Sequence, residues 1–183
     1  MEKRWVIKDA DEDKVNSLQQ DLKVHPVVCK LLVQRGIYTY EAARKFFRPV
    51  LTDLYDPFLM KDMQKAIDRI NTAIANNERI LIYGDYDVDG TTSVALAYSF
   101  FYSIYKNIDY YIPDRYLEGY GISTKGIDHA KQTECSLVIA LDCGIKAVDK
   151  IAYANTLGVD FIICDHHIPG DEVPAAFAVL DPH

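Results

Sequence analysis

The chain has 183 residues, of which 49% are hydrophobic and 26% are charged, and its net charge is −7. This composition excludes a disordered or collagen-like chain and suits one globular domain with a small appendage. No apolar run approaches the roughly 18 residues of a membrane helix, and the charged N-terminus lacks the apolar segment of a secretory signal, so we expect a cytoplasmic protein.

The negative charge counts against a nucleic-acid-binding protein, because such proteins usually present a basic surface. Acidic residues that hold metal ions would reduce this charge in the working protein, so the net charge alone does not decide the question. The four cysteines form no CxxC pair and show no zinc-binding spacing. They are therefore predicted to be buried thiols.

Residues 1–60 are predicted to form a small helical N-terminal segment. Pro26 can begin a helix that ends at Gly36, because proline is favoured in the first turn of a helix and glycine just beyond the last. Thr39 is a candidate cap for the next helix. The stretch LTDLYDPFLM then connects this segment to the rest of the chain.

A different pattern begins near residue 61, where apolar residues recur at helical spacing as far as Ile74. Short apolar runs rich in strand-forming residues follow, with helical segments such as VALAYSFFYSIY and residues 146–157 between them. This alternation predicts an α/β domain over residues 61–183, with a mostly parallel five-stranded sheet flanked by helices. The predicted strands are RILIYG, IDYYIP, SLVIALD, VDFIICD and AFAVLD.

Carboxylates and imidazoles follow three of these predicted strands directly. The carboxyl ends of parallel strands meet at one edge of a sheet, where ligands bind. Aspartate is also a common helix cap, which explains one carboxylate in each loop but neither three at alternate positions nor two adjacent histidines. The sequence therefore predicts one shared site composed of Asp85, Asp87, Asp89, Asp142, Asp165, His166 and His167.

Such a group of carboxylates requires positive charge between its members, because like charges repel. Carboxylate and imidazole ligands suit a pair of divalent ions, Mn²⁺ or Mg²⁺, and the imidazole favours manganese. Asp142 is the candidate to bridge the two ions. His166 is the better candidate ligand of the two histidines, and His167 could ligate or act on a phosphate as donor or general acid. The sequence does not match the loop of an EF-hand calcium site, because Leu96 occupies the position where that loop needs glutamate.

The motifs GDYDVDG, ALDCG and CDHH, each at the end of a predicted strand, resemble those of the DHH phosphoesterase superfamily. The segment YIPDRYLEGYGIS narrows the resemblance to the RecJ branch, which consists of exonucleases specific for single-stranded DNA. The resemblance implies a hydrolase that removes nucleotides in the 5′-to-3′ direction with two metal ions, in DNA repair and recombination. It also implies single-stranded DNA as the substrate, and a single-strand-binding protein or a helicase as partners.

Carried over by position, the resemblance implies a role for each residue of the site. The implied metal ligands are Asp85, Asp87, Asp89, Asp142 and His166. The implied catalytic residues are Asp142, His166 and His167, and Gly90 and Asp165 support the motifs.

The segment that follows the second predicted strand carries candidate contacts to DNA. Arg115 suits phosphate recognition, and its alternative role is an ion pair with Asp114 or Glu118. Tyr120 is interpreted as a base-stacking residue, or else as a packing residue. Gly121 could form a turn with Tyr120 that lets the chain approach a ligand closely.

Members of the family continue beyond the point that corresponds to His183. The sequence is therefore interpreted as an N-terminal fragment with an incomplete catalytic domain, expected to be nearly inactive alone. Two alternatives stay open. One is another DHH phosphoesterase that acts on short oligonucleotides or cyclic dinucleotides, and the other is a non-catalytic relative that binds DNA or a replication partner.

Overall fold

The computed structural model describes residues 4–183, which divide into two units between Tyr55 and Asp56. The change in sequence pattern predicts this boundary near residue 61. Each unit has its own hydrophobic core. No helix within the described residues combines the length and the hydropathy needed to cross a membrane.

The first unit is helical, as predicted. Thr39 caps its third helix by accepting a hydrogen bond of 3.2 Å from the N–H of Ala42. Leu18 and Cys29 are completely buried where the helices pack together. The three helices are α1 (Glu12–Leu22), α2 (Pro26–Val33) and α3 (Tyr40–Phe47), and a 3₁₀ turn at Leu51–Asp53 follows them.

The second unit confirms the α/β prediction. Its five strands are all parallel and lie in the order β2-β1-β3-β4-β5. After a 3₁₀ turn at Pro57–Leu59, its elements are α4 (Met63–Ala75), β1 (Arg79–Gly84), α5 (Val88–Ile104), β2 (Ile108–Tyr111), α6 (Thr124–Gln132), β3 (Cys135–Leu141), α7 (Val148–Thr156), β4 (Asp160–Cys164) and β5 (Ala178–Leu180).

The central strands are apolar beyond their first one or two residues because both faces of the sheet are covered. In β1, Leu81 and Tyr83 belong to one buried cluster, whereas Ile80 and Ile82 belong to the cluster on the other face. All four side chains are at most 1% exposed. Burial on both faces is typical of parallel strands between helices and explains the continuous hydrophobic run RILIYG.

The cysteines confirm the prediction of buried thiols in three cases. Cys29, Cys135 and Cys143 are buried, and Cys164 is half-buried at the end of β4. Burial raises the pKa of each thiol, and the pKa of Cys164 rises to about 11.

A group of ion pairs joins α4 to the sheet at the end opposite to the predicted site. The guanidinium of Arg69 lies 2.8 Å from Glu78 and 2.7 Å from Asp160. Ser136 donates a hydrogen bond to Glu78. This hydrogen bond, together with those from Arg69 and Asn76, lowers the pKa of Glu78 although burial opposes the shift.

Glu78→Gln is expected to lower the free energy of unfolding by about 1–3 kcal/mol at pH 7, because a charged acceptor of several hydrogen bonds is lost. A carboxylate whose pKa is lowered by folding stabilises the protein above its ordinary pKa, near 4.3, and loses this effect as the pH falls through the folded pKa. The difference between wild type and variant should therefore shrink on acidification. Urea unfolding at several pH values from 7 down to 3 measures it, with the exposed Glu172→Gln as control. A constant difference would contradict this assignment.

Candidate metal centre

Three neighbouring strands end level with one another and each continues into a carboxylate. Gly84 of β1 pairs with Leu141 of β3, which pairs with Cys164 of β4. Asp85, Asp142 and Asp165 are the next residues along the chain. The backbone pairing continues here, because the Asp142 N–H donates to Cys164 (2.8 Å) and the Asp165 N–H donates to Leu180 (3.0 Å). The register of the sheet thus places these three aspartates side by side.

Asp85 is completely buried at this edge. Its Oδ1 accepts a hydrogen bond of 2.8 Å from the Tyr86 N–H and lies 3.5 Å from the N–H of Gly121. Its Oδ2 is buried and has no hydrogen-bond partner within the described residues. A buried carboxylate oxygen without a donor is costly unless a cation compensates its charge. This oxygen fits a bound metal ion.

Asp142 and His166 form the next part of the site. His166 Nε2 lies 2.9 Å from Asp142 Oδ1, and a ligand atom from each of Asp142, His166 and His167 falls within 4.8 Å of the others. Burial raises the pKa of Asp142, and the charge of Asp87 adds to this effect, while the hydrogen bond with His166 opposes it. One carboxylate and two imidazoles this close together suit a divalent transition metal.

Asp165 orients the two histidines. Its Oδ1 accepts the backbone N–H groups of His166 (2.8 Å) and His167 (3.2 Å) and lies 2.7 Å from His167 Nδ1. Its Oδ2 accepts the N–H of Ile145 at 2.9 Å. Burial would raise the pKa of Asp165, but these hydrogen bonds outweigh it and hold the pKa below its ordinary value. The same bond to Asp165 raises the pKa of His167.

Asp87 and Asp89 lie at the N-terminus of α5. Asp87 caps the helix by accepting the N–H of Gly90 at 2.9 Å. Asp89 is exposed in the first helical turn. Within residues 4–183, the close group of ligand atoms formed by Asp142 and the two histidines includes neither of these carboxylates. Their part in metal binding stays a prediction.

The thiol of Cys143, the residue after Asp142, is buried at this edge. Its side chain is 1% exposed. Its pKa is raised well above the ordinary value, first by burial and then by the charges of Asp85, Asp165, Asp142 and Asp87. The structure therefore brings six of the seven predicted residues to one edge of the sheet, and Asp89 lies in the helix that starts there.

The segment with the predicted DNA contacts adjoins this edge. Tyr120 is exposed, and its hydroxyl lies 3.3 Å from His167 Nε2. Gly121 has a φ of +79°, a conformation that favours glycine. Arg115 is exposed and lies 5.3 Å from the centre of the Tyr86 ring.

The structure does not show the alternative role of Arg115, which is an ion pair with a neighbouring carboxylate. Within residues 4–183, Arg115 forms no ion pair with either Asp114 or Glu118. Asp114 instead accepts the backbone N–H groups of Tyr116 and Leu117.

Sequence reasoning missed one residue of this surface. The Tyr86 ring packs edge to face against Tyr120, with 6.3 Å between the ring centres, and the Arg115 guanidinium lies over the Tyr86 ring. Its position between Asp85 and Asp87 was the available signal, because a side chain between two site residues cannot lie far from the site.

Comparison with known proteins agrees with this geometry. The model of the DHH family, N-terminal domain, matches residues 79–183. The chain is 46% identical to the single-stranded-DNA-specific exonuclease RecJ of Bacillus subtilis, over 98% of this chain and 23% of that protein. It is 30% identical to the exonuclease of the same name from Escherichia coli, over 100% of this chain and 31% of that protein. The chain thus spans about a quarter to a third of these relatives.

Solved structures show the same fold. A crystal structure of exonuclease RecJ bound to manganese superposes with a TM-score of 0.64 and 28% identity, and covers 70% of this chain and 33% of that one. RecJ from Thermus thermophilus in complex with Mn²⁺ superposes with a TM-score of 0.65 and 23% identity, over 94% of this chain and 24% of that one. Since the family model matches more than half of the chain, and the motifs occupy the tips of neighbouring strands, this chain belongs to the DHH family.

Proposed function

We propose that this chain carries the metal centre of a 5′-to-3′ exonuclease that hydrolyses phosphodiester bonds of single-stranded DNA in repair and recombination. The main support is the buried Asp85 Oδ2, which has no hydrogen-bond donor among the described residues and belongs to the sheet edge where Asp142, His166 and His167 come together. The relatives from Bacillus subtilis and Escherichia coli, named as single-stranded-DNA-specific exonucleases, support the choice of substrate.

The residues at the strand tips would hold two Mn²⁺ or Mg²⁺ ions, which when bound activate water and stabilise charge on a leaving oxygen. Asp142 follows β3, which lies between β1 and β4, and is the proposed bridging ligand, 2.9 Å from His166. Asp165 holds His167 through Nδ1, so Nε2, which lies 3.3 Å from the Tyr120 hydroxyl, is the atom that would act on phosphate. The proposed ligands are Asp85, Asp87, Asp89, Asp142 and His166.

The exposed surface beside the centre suits a DNA strand. Arg115 offers a guanidinium that can grip a phosphate at two points, and no ion pair with Asp114 or Glu118 competes for it within the described residues. Tyr120 is 58% exposed and offers a face for base stacking. Gly121 lets the backbone turn without a side chain in the path of the strand.

We also propose a single-strand-binding protein or a helicase as partner, and the cytoplasm as location.

The test is nucleotide release by the full-length protein from a long single strand labelled at its 5′ end. We expect release to begin at the 5′ end, to require Mn²⁺ or Mg²⁺, and to stop when EDTA removes the metal. Duplex DNA of the same sequence and a cyclic dinucleotide serve as comparison substrates. Hydrolysis of the cyclic dinucleotide without attack on single strands would overturn the proposal in favour of another DHH phosphoesterase.

A further inference from the structure

Two buried polar side chains outside the proposed ligand set hold the loop of residues 112–123 beside the metal centre. This loop carries Arg115, Tyr120 and Gly121. Tyr116 and Leu117 at its tip are 92% and 77% exposed, so packing does not hold the tip in place. Its position must therefore depend on hydrogen bonds and on the few side chains that point inward.

Tyr83 makes the first attachment. Its side chain is 1% exposed on β1, two residues before Asp85. The hydroxyl donates a hydrogen bond of 2.9 Å to the Gly121 carbonyl and accepts one of 3.1 Å from the Ser123 N–H. One phenol thus links β1, the strand that leads to Asp85, to both sides of the Gly121 turn.

Glu118 makes the second attachment. Its side chain is only 4% exposed, and its carboxylate accepts the Tyr111 hydroxyl at 2.9 Å and the Ser123 hydroxyl at 2.5 Å. It also accepts the Asp114 N–H at 3.0 Å, while Lys125 lies 3.8 Å away. Glu118 therefore ties the beginning and the end of the loop to β2.

Next to these attachments, the loop makes two contacts at the metal centre. With Gly121 held by Tyr83, the Gly121 N–H lies 3.5 Å from Asp85 Oδ1, on the carboxylate whose other oxygen has no hydrogen-bond partner in residues 4–183. Tyr120, the preceding residue, places its hydroxyl 3.3 Å from His167 Nε2. A shift of the loop would alter the environment of Asp85 and His167 together.

We propose that Tyr83 and Glu118 are positioning residues that hold the 112–123 loop against Asp85 and His167 and so prepare the metal centre. Neither residue is a proposed ligand, and each acts through the loop. The inference rests on the metal centre proposed above. The proposal predicts that removal of the Tyr83 hydroxyl or of the Glu118 charge weakens metal binding more than removal of one buried hydroxyl elsewhere.

The chain offers a matched control for Tyr83→Phe. Tyr105 is also buried, at 8% exposure, and its hydroxyl donates a hydrogen bond of 2.6 Å to the Glu78 carbonyl. It belongs to the core cluster on the other face of the sheet. Tyr105→Phe therefore removes the same atom from a similar environment without touching the loop.

The experiment measures Mn²⁺ binding by electron paramagnetic resonance and amide hydrogen exchange by mass spectrometry on the 183-residue chain. We expect Tyr83→Phe to weaken Mn²⁺ binding about tenfold and to accelerate exchange in residues 112–123 by a similar factor. Tyr105→Phe should leave both values at those of wild type. Glu118→Gln should behave like Tyr83→Phe, and it decides the question if Tyr83→Phe does not fold.

The outcomes separate this inference from the function on which it rests. If the wild-type chain binds no Mn²⁺, the proposed metal centre fails. If wild type and Tyr105→Phe bind Mn²⁺, and the loop variants bind it equally well with unchanged exchange, the positioning role alone is overturned.

Discussion

Asp142→Asn is expected to reduce turnover by roughly three orders of magnitude or more, equivalent to about 4 kcal/mol of transition-state stabilisation. Asp142 contributes the carboxylate among the three ligand atoms that lie within 4.8 Å of one another. An amide keeps the shape of the side chain but lacks the negative charge that a bridging ligand needs. Mn²⁺ binding to the 183-residue chain and nucleotide release by the full-length protein measure the loss.

The control for this variant is Asp149→Asn, which makes the same change at an exposed position in the first turn of α7. Folding provides a second check. The pKa of Asp142 is raised by burial and by the charge of Asp87, so ionised Asp142 destabilises the metal-free fold. The variant without metal should therefore unfold at the same or a higher urea concentration than wild type. Wild-type metal affinity in Asp142→Asn would refute the assignment of this ligand.

Gly90→Ala is expected to destabilise the second unit by roughly 3 kcal/mol or more. A Cβ at this position would lie 2.4 Å from the Asp85 carbonyl oxygen and 2.6 Å from the Asp85 nitrogen. These are backbone atoms, which cannot rotate away as the end of a side chain can. Either α5 would move away from β1 or Asp85 would shift, and both changes would disturb the metal centre.

Urea unfolding of Gly90→Ala measures this cost, with Gly170→Ala as the matched control. A Cβ at Gly170 would meet its nearest atom at 3.9 Å, which is ordinary contact. Mn²⁺ binding at low urea shows whether the site is distorted in molecules that stay folded. Equal stability of the two variants would show that α5 and β1 do not pack as described.

The strands were predictable because they are buried on both faces. The predicted strand RILIYG coincides with β1, Arg79–Gly84. The helix after it begins earlier than its apolar run, since Asp87 caps a polar first turn that shows no hydrophobic period. Helix α6, TKGIDHAKQ, was harder to recognise because Ile127 is its only large apolar residue.

The convergence of the site was predictable for a related reason. Parallel strands in register bring their carboxyl ends together, so the residues after β1, β3 and β4 had to meet. The contacts that give each of those residues its own environment were not predictable. The contacts of Gly121 with Asp85 and with Tyr83, for example, join residues nearly forty positions apart along the chain. No pattern among neighbouring residues of the sequence predicts such contacts.

The burial of the cysteines has a practical consequence for following the 112–123 loop. The described residues include all four cysteines, and the raised pKa of each leaves little thiolate at neutral pH to react with a maleimide. Tyr116→Cys would introduce one accessible thiol at a position that is 92% exposed. A fluorescent dye attached there would report motion of the loop without removal of any native cysteine.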